Sequence, residues 1–322
     1  MRKATKIWMI VAASLLLAGG ILFAAVMTVL GWDFTQLSTE RTVTNTHEVR
    51  EAYQQISIRT DTADVVLVPG EEESTSVVCY ESVKETHRVE VRDGTLFIEL
   101  NDTREWYEHI SIGFSDSPRI TVYLPAGTYG ALSVKGSTGD VRIPSGISFT
   151  SMDIAVSTGD VTCGASVTGD LNIKASTGSI TVEDMTAQTL SLSVSTGRVT
   201  VTDVTAQGCM TIGVSTGASY LTRVTCESFS STGNTGDIHM SGVVVTGSMS
   251  ITRSTGDVKF DGCDAAEMVV LTDTGDVTGT LLSEKVFTYK TDTGDVNLPE
   301  SVTGGTCKIT TDTGDIRITY SE

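Results

Sequence analysis

The chain has 322 residues, with 22 basic against 40 acidic side chains and a formal net charge of −18. Its first 32 residues hold Arg2, Lys3 and Lys6 and no acid, so the remainder sets 19 basic against 40 acidic groups. That excludes sequence-blind nucleic-acid binding, which needs a basic stripe to displace counterions from phosphates, and argues against charge-driven docking on anionic lipid.

Hydrophobic residues at 39% argue against wholesale disorder, while 31 glycines and 6% aromatics describe a chain rich in turns and poor in large core fillers. A prior of about 150 residues per domain suggests two domains. Four segments are read: 1–32 as cytoplasmic stub and membrane anchor, 33–46 as stalk, 47–130 as a β-rich cap, and 131–322 as repeats.

Ile7 to Trp32 holds no charged residue. At 1.5 Å rise per residue, roughly 20 residues cross a hydrocarbon core of about 30 Å, so the run is long enough to span. A signal peptide has an apolar region of only about 7–15 residues and a small-residue cleavage site, which is not evident here. The run therefore reads as a single-pass anchor in the cell membrane. Its basic flank predicts a cytoplasmic N-terminus and an extracellular C-terminal domain.

Residues 33–46 are polar and rich in hydroxyls. Residues 47–130 hold short alternating runs (QISIRT, DVVLVP, TSVVCY, HRVEVR, TLFIEL, RITVYLP). Arg92-Asp93-Gly94-Thr95 reads as a hairpin turn. Asp61-Thr62-Ala63-Asp64-Val65 resembles a decayed repeat corner with Ala in the glycine position. The segment 101–118, with Trp106, Tyr107, His109 and Phe114, is expected to be an irregular insertion, tucked on its own domain or exposed as a binding tip.

From there a Thr-Gly dipeptide recurs every 19 or 20 residues, with glycines at Gly139, Gly159, Gly178, Gly197, Gly217, Gly236, Gly256, Gly275, Gly294 and Gly314. Asp follows in seven copies, and Val or Ile stands two after in nine, Ser219 being the exception. Apolar residues sit seven and five before the glycine, as in Leu132/Val134 and Met152/Ile154. Period two means strand, and Ser-Thr-Gly-Asp is turn chemistry.

One copy cannot bury its own apolar face, but stacking copies does so. The expected fold is all-β, a parallel β-solenoid of about ten coils forming a rod of roughly 50 Å. An antiparallel sandwich would not need the same tetrapeptide at every step. Strand parity predicts the corner Thr inward and the Asp outward. No two adjacent coils place Cys at one offset, so no disulfide is expected among Cys79, Cys163, Cys209, Cys226, Cys263 and Cys307. Cys163, Cys263 and Cys307 fall on apolar offsets and read as core.

This ordered series resembles the bacterial putative-adhesin family of membrane-anchored strand-repeat domains. The matching features are the anchor, RTDTADVVLVPG, RDGTLFIEL, RITVYLP, ALSVKGSTGDV and the repeated STGDV/DTGDV corners. The resemblance covers about residues 47–322. It implies a surface-exposed β-repeat protein linked to envelope sensing and stress, and it supplies no catalytic residues.

Catalytic chemistry finds little support in the residues. His47, His87, His109 and His239 are far apart, and the basic residues Lys135, Arg142, Lys174, Arg198, Arg223 and Arg253 are read as sharing no corner. A stacked Asp column is sharper. Asp257, Asp276, Asp295 and Asp315 are expected on four consecutive coils. The pairs Asp273/Asp276, Asp292/Asp295 and Asp312/Asp315 are candidate Ca²⁺ ligands. The competing reading has each carboxylate bonding the backbone of its own turn, with the residual repulsion screened by salt.

The function expected is a non-catalytic surface binding or scaffold module without a cofactor other than Ca²⁺. Its partner would be an envelope component or protein, cationic by charge complementarity, and not nucleic acid. The alternative is a carbohydrate-active β-helix enzyme. Self-association through an uncapped C-terminal coil is a further expectation.

Overall fold

The computed structural model describes residues 3–33, 42–70, 74–104 and 117–321. Within the helix Lys3–Val29, the segment Thr5–Val29 is long and apolar enough to cross a membrane. The aromatic cluster at 106–114 lies outside the described residues.

Alternating burial explains the β region. In Ser148–Thr158 the side chains of Met152, Ile154 and Val156 are buried, while Asp153 faces solvent. Successive coils pair in parallel and in register. Leu132, Met152, Leu171 and Leu190 line up, as do Val134, Ile154, Ile173 and Leu192. Full burial of each such side chain contributes about 1.5–3 kcal/mol, and the columns merge into one continuous core. The result is the expected parallel β-solenoid.

The corners stack at van der Waals distance, which is why glycine recurs. All ten corner glycines have φ between +125° and +156°. A Cβ on Gly197 would sit inside the Gly178 carbonyl oxygen, and one on Gly217 inside that of Gly197. Ala63 holds the same place in the cap: a Cβ on Gly139 would lie 2.6 Å from the Ala63 carbonyl oxygen. The decayed corner is thus the first corner of the column.

Three expectations need correction. Thr138, Thr158 and the other corner threonines are exposed. The positive-φ glycine interrupts strict alternation, so Ser and Thr both face solvent, and the inward positions are three before and two after the glycine.

The cap is partly solenoid. Gln55–Arg59 lies parallel between Thr95–Asp102 and Thr128–Thr138, and Asp64–Gly70 lies parallel between Arg119–Pro125 and Val141–Ile143. Antiparallel strands then close that end. Thr42–Val49 pairs with Thr75–Ser82, which pairs with Arg119–Pro125. The stalk therefore loses residues 42–46 to a strand, while 34–41 lie outside the described residues. Glu85–Arg92 forms a hairpin with Thr95–Asp102 through Asp93 and Gly94, both at positive φ as a two-residue hairpin turn requires.

At the far end, chain order and spatial order part. Gly305–Thr313 pairs with Val258–Thr274 on one side and with Lys285–Thr293 on the other. The Gly314 coil is inserted between the Gly275 and Gly294 coils. The last coil in sequence is therefore internal, and the end of the stack is the Gly294 coil, with Val286 and Tyr289 exposed. Self-association through the chain-terminal coil loses its basis, because that coil has neighbours on both sides.

Candidate functional site

Three places concentrate polar chemistry: the Asp column, a buried cluster in the cap, and a basic groove on the solenoid wall.

In the column, seven carboxylates accept a backbone N–H from the neighbouring coil instead of their own turn. Asp64 Oδ1 accepts from Asp140 N at 2.9 Å, Asp140 Oδ1 from Asp160 N at 2.8 Å, and Asp160 Oδ1 from Ser179 N at 2.7 Å. Farther along, Asp237 accepts from Asp257 and Asp257 from Asp276. Asp276 then accepts from Asp315 and Asp315 from Asp295. The spatial order is 257, 276, 315, 295, so the four acids do share a column with the last two exchanged.

Of the candidate Ca²⁺ ligands, Asp276 and Asp315 have one oxygen engaged in this ladder. Asp315 also takes Arg317, and Asp292 pairs with Lys290 at 3.1 Å. Asp273, Asp292 and Asp312 are exposed two residues before their glycines.

The buried cluster lies where Thr75–Ser82 meets Glu85–Arg92. His87 Nδ1 is 2.7 Å from Glu81 Oε2, which also accepts the His87 N–H at 2.8 Å. Asn45 Nδ2 donates to Glu81 Oε1 at 2.7 Å, and His87 Nε2 lies 3.0 Å from Thr60 Oγ1. Ligand atoms of Cys79, Glu81 and His87 fall within 4.8 Å of one another, a donor set that zinc accepts. Burial, with help from Glu81, pushes the Cys79 thiol up to about 12, so the ligating thiolate is disfavoured. Both Glu81 oxygens already have donors, so the cluster ties three strands of the cap together.

The groove was missed in the sequence. Arg59 pairs across the sheet with Lys135, Lys135 with Ala155, Ala155 with Lys174, and Lys174 with Ser193. Lys135 and Lys174 both stand four residues before their glycines, and Arg59 stands four before Ala63. This corrects the expectation that the basic residues share no offset. Arg142, Arg198, Arg223 and Arg253 do lie elsewhere. Arg223 is bound to Asp203, and Arg253 is buried with its guanidinium on Ser231 Oγ and Thr252 O. Around Arg59, Lys135 and Lys174 runs an open groove of about 750 Å³, bordered by Thr60, Ser137, Ser157, Ser176, Ser193 and Ser195.

Of the cysteines, Cys79, Cys163, Cys226, Cys263 and Cys307 are buried in the apolar columns and Cys209 is exposed. Cys163, Cys263 and Cys307 are core residues as expected.

The family model of the Toastrack DUF4097 domain matches residues 53–218 and 210–322, together covering nearly all of the β region. The chain belongs to the Toastrack DUF4097 family. No curated protein matches this Toastrack chain. Among solved structures it is similar to a protein described as a putative adhesin from Parabacteroides distasonis, at 12% identity and TM-score 0.48, over 76% of this chain and 98% of that one. A second, described as a putative lipid binding protein from the same organism, has 19% identity and TM-score 0.49, over 74% and 96%. A third, a putative adhesin from Bacteroides fragilis, has 14% identity and TM-score 0.39, over 87% and 97%.

Proposed function

We propose that this Toastrack chain is a non-catalytic binding or scaffold module, tethered by its N-terminal helix and displayed outside the cell membrane, where it serves adhesion or envelope-stress sensing. The observation that carries the reading is the in-register stack. Outward positions on the in-register strands become columns of side chains, and one opening on the wall is a hydroxyl-lined open groove. Such a wall suits a long ligand gripped at many weak points. The basic flank of the apolar run supports the outward orientation.

The test has two arms. Protease added to intact cells should remove a C-terminal tag; survival of the tag until permeabilisation overturns the display. Purified full-length chain in detergent should retain an envelope component without altering it chemically; retention of nothing overturns the binding role.

One observation favours the enzymatic alternative. Glu81, His87 and Thr60 form a carboxylate–imidazole–hydroxyl series, the order that activates a nucleophile, and Thr60 borders the groove. Against it, His87 is only 5% exposed, and Thr60 Oγ1 also accepts the Ala63 N–H at 3.3 Å. That leaves no evident path for His87 to hand a proton to a leaving group. Release of acetate from an O-acetylated glycan, abolished by Thr60→Ala, would make the enzymatic reading the right one.

A further inference from the structure

We propose that the Arg59–Lys135–Lys174 column is a binding site for a linear polyanion, a polymer carrying carboxylate or phosphate groups along its length, laid parallel to the solenoid axis. This rests on the binding-module reading above and names the ligand class for that module.

Backbone pairing fixes the spacing. With rungs about 4.8 Å apart, Arg59 and Lys135 stand one rung apart and Lys135 and Lys174 two, at ~5 and ~10 Å along a straight line. A linear array of cations on a rigid wall matches a linear array of anions better than it matches one compact ion.

Charge sharpens the case. Acids outnumber bases 40 to 22 in the chain, so carboxylate partners are plentiful. Elsewhere Arg92, Arg104, Arg223, Lys285 and Arg317 each take one. Arg59, Lys135 and Lys174 make no ion pair among the described residues. Two acids on this wall are already engaged: Glu99, beside Arg59 on the outer rung, is bound by Arg92, and Asp153 accepts from Asn172. More distant carboxylates are screened beyond the Debye length of about 8 Å at physiological salt.

The lining fits the same ligand. Ser137, Ser157, Ser176, Ser193 and Ser195 offer hydroxyl donors, and no aromatic or long apolar side chain borders the groove to grip a lipid tail. At its head, Thr60 is held by His87, which is held by Glu81, so the first rung is fixed before any ligand arrives. Binding that neutralises polymer charges releases condensed counterions and must weaken as salt rises.

The experiment titrates full-length chain in detergent with polygalacturonate, with inorganic polyphosphate and with phosphatidylglycerol vesicles, at low and at physiological salt. Binding to at least one polymer is expected. It should weaken with salt and fall ~10-fold or more in a Lys135→Gln/Lys174→Gln double variant. Substituting Lys259 and Lys308, exposed and outside the groove, should leave it unchanged. All four lysines are on the surface, and unchanged melting temperatures verify that the variants fold. Which polymer binds tells carboxylate from phosphate chemistry. Three outcomes overturn the proposal: binding to neither polymer, binding to vesicles alone, or equal loss in the two double variants. If neither polymer binds yet the chain still retains an envelope component, the groove assignment falls and the binding-module reading stands.

Discussion

Asp315 Oδ1 accepts the backbone N–H of Asp295 at 2.7 Å, across an interface between two coils whose order in space is the reverse of their order in the chain. Asp276 Oδ1 accepts from Asp315 N at 2.8 Å in turn. The ladder thus sets hydrogen bonds against the repulsion of stacked carboxylates, which is about 1 kcal/mol per neighbouring pair in a water-like dielectric. Asp276→Asn keeps an acceptor oxygen and removes a charge, so its melting temperature should match or exceed the parent's at low salt. Asp276→Ala loses the acceptor and should cost about 1 kcal/mol. Urea unfolding of both variants checks this. Equal damage from the two would mean that the charge itself is needed.

Calcium offers a separate check on the same column. Because ladder bonds and Arg317 already engage Asp276 and Asp315, added Ca²⁺ is expected to give no saturable heat and no rise in melting temperature. A calorimetric isotherm that disappears in an Asp292→Asn/Asp295→Asn variant would assign the ion to the terminal coils.

The corner predicts a sharp contrast between glycines. Gly197 sits at φ +153° with its α-carbon facing the Gly178 carbonyl, whereas Gly127 has open space where a Cβ would go. Gly197→Ala should destabilise by ~3 kcal/mol or more, combining backbone strain with displacement of the neighbouring corner. Gly127→Ala should be close to neutral. Thermal melts of the pair decide it; equal shifts would deny that the corners touch.

How much of this was legible in the sequence follows from what repeats. The Thr-Gly period exposed the stack because a shared corner demands shared chemistry, and Asp64 beside Ala63 was enough to reveal the worn first corner. The exchange of the last two coils was hidden for the same reason. The Gly275, Gly294 and Gly314 corners all read Asp-Thr-Gly-Asp, so each fits beside either of the others. The basic column was obscured because Ala155 interrupts it and Arg59 belongs to a coil without a glycine. The exposed corner Thr escaped because alternation was carried straight through a bend that breaks it.

Ser219 is the one polar intrusion in the column two after the glycine, and it predicts a gain. It is fully buried between Val199 and Ile238, and its hydroxyl has no partner among the described residues. Ser219→Val should stabilise by about 1 kcal/mol or more, since it removes an unsatisfied group and adds apolar contact. A lower melting temperature would show that the site has no room for the added methyls.

Thiol reactivity should separate Cys209 from the rest. Burial pushes Cys163, Cys226 and Cys307, like Cys79, up to about 12. At neutral pH the native chain should therefore show one fast thiol, with the others reacting only on unfolding. The folded state holds these protons to about 12 and the unfolded chain releases them near 9.0. Folding stability should therefore fall as pH rises through that window. Thiol titration with an aromatic disulfide, native and in denaturant, checks both statements.

The inserted Gly314 coil constrains how the molecule is made. A ribosome delivers residues 285–297 before residues 305–320, yet the earlier stretch reaches its final pairing only after the later one has seated against the Gly275 coil. The rod cannot be finished rung by rung as it emerges. Its final two turns close together only once residues 305–320 have followed residues 285–297 out of the ribosome, and a message cut short before codon 305 would forfeit both.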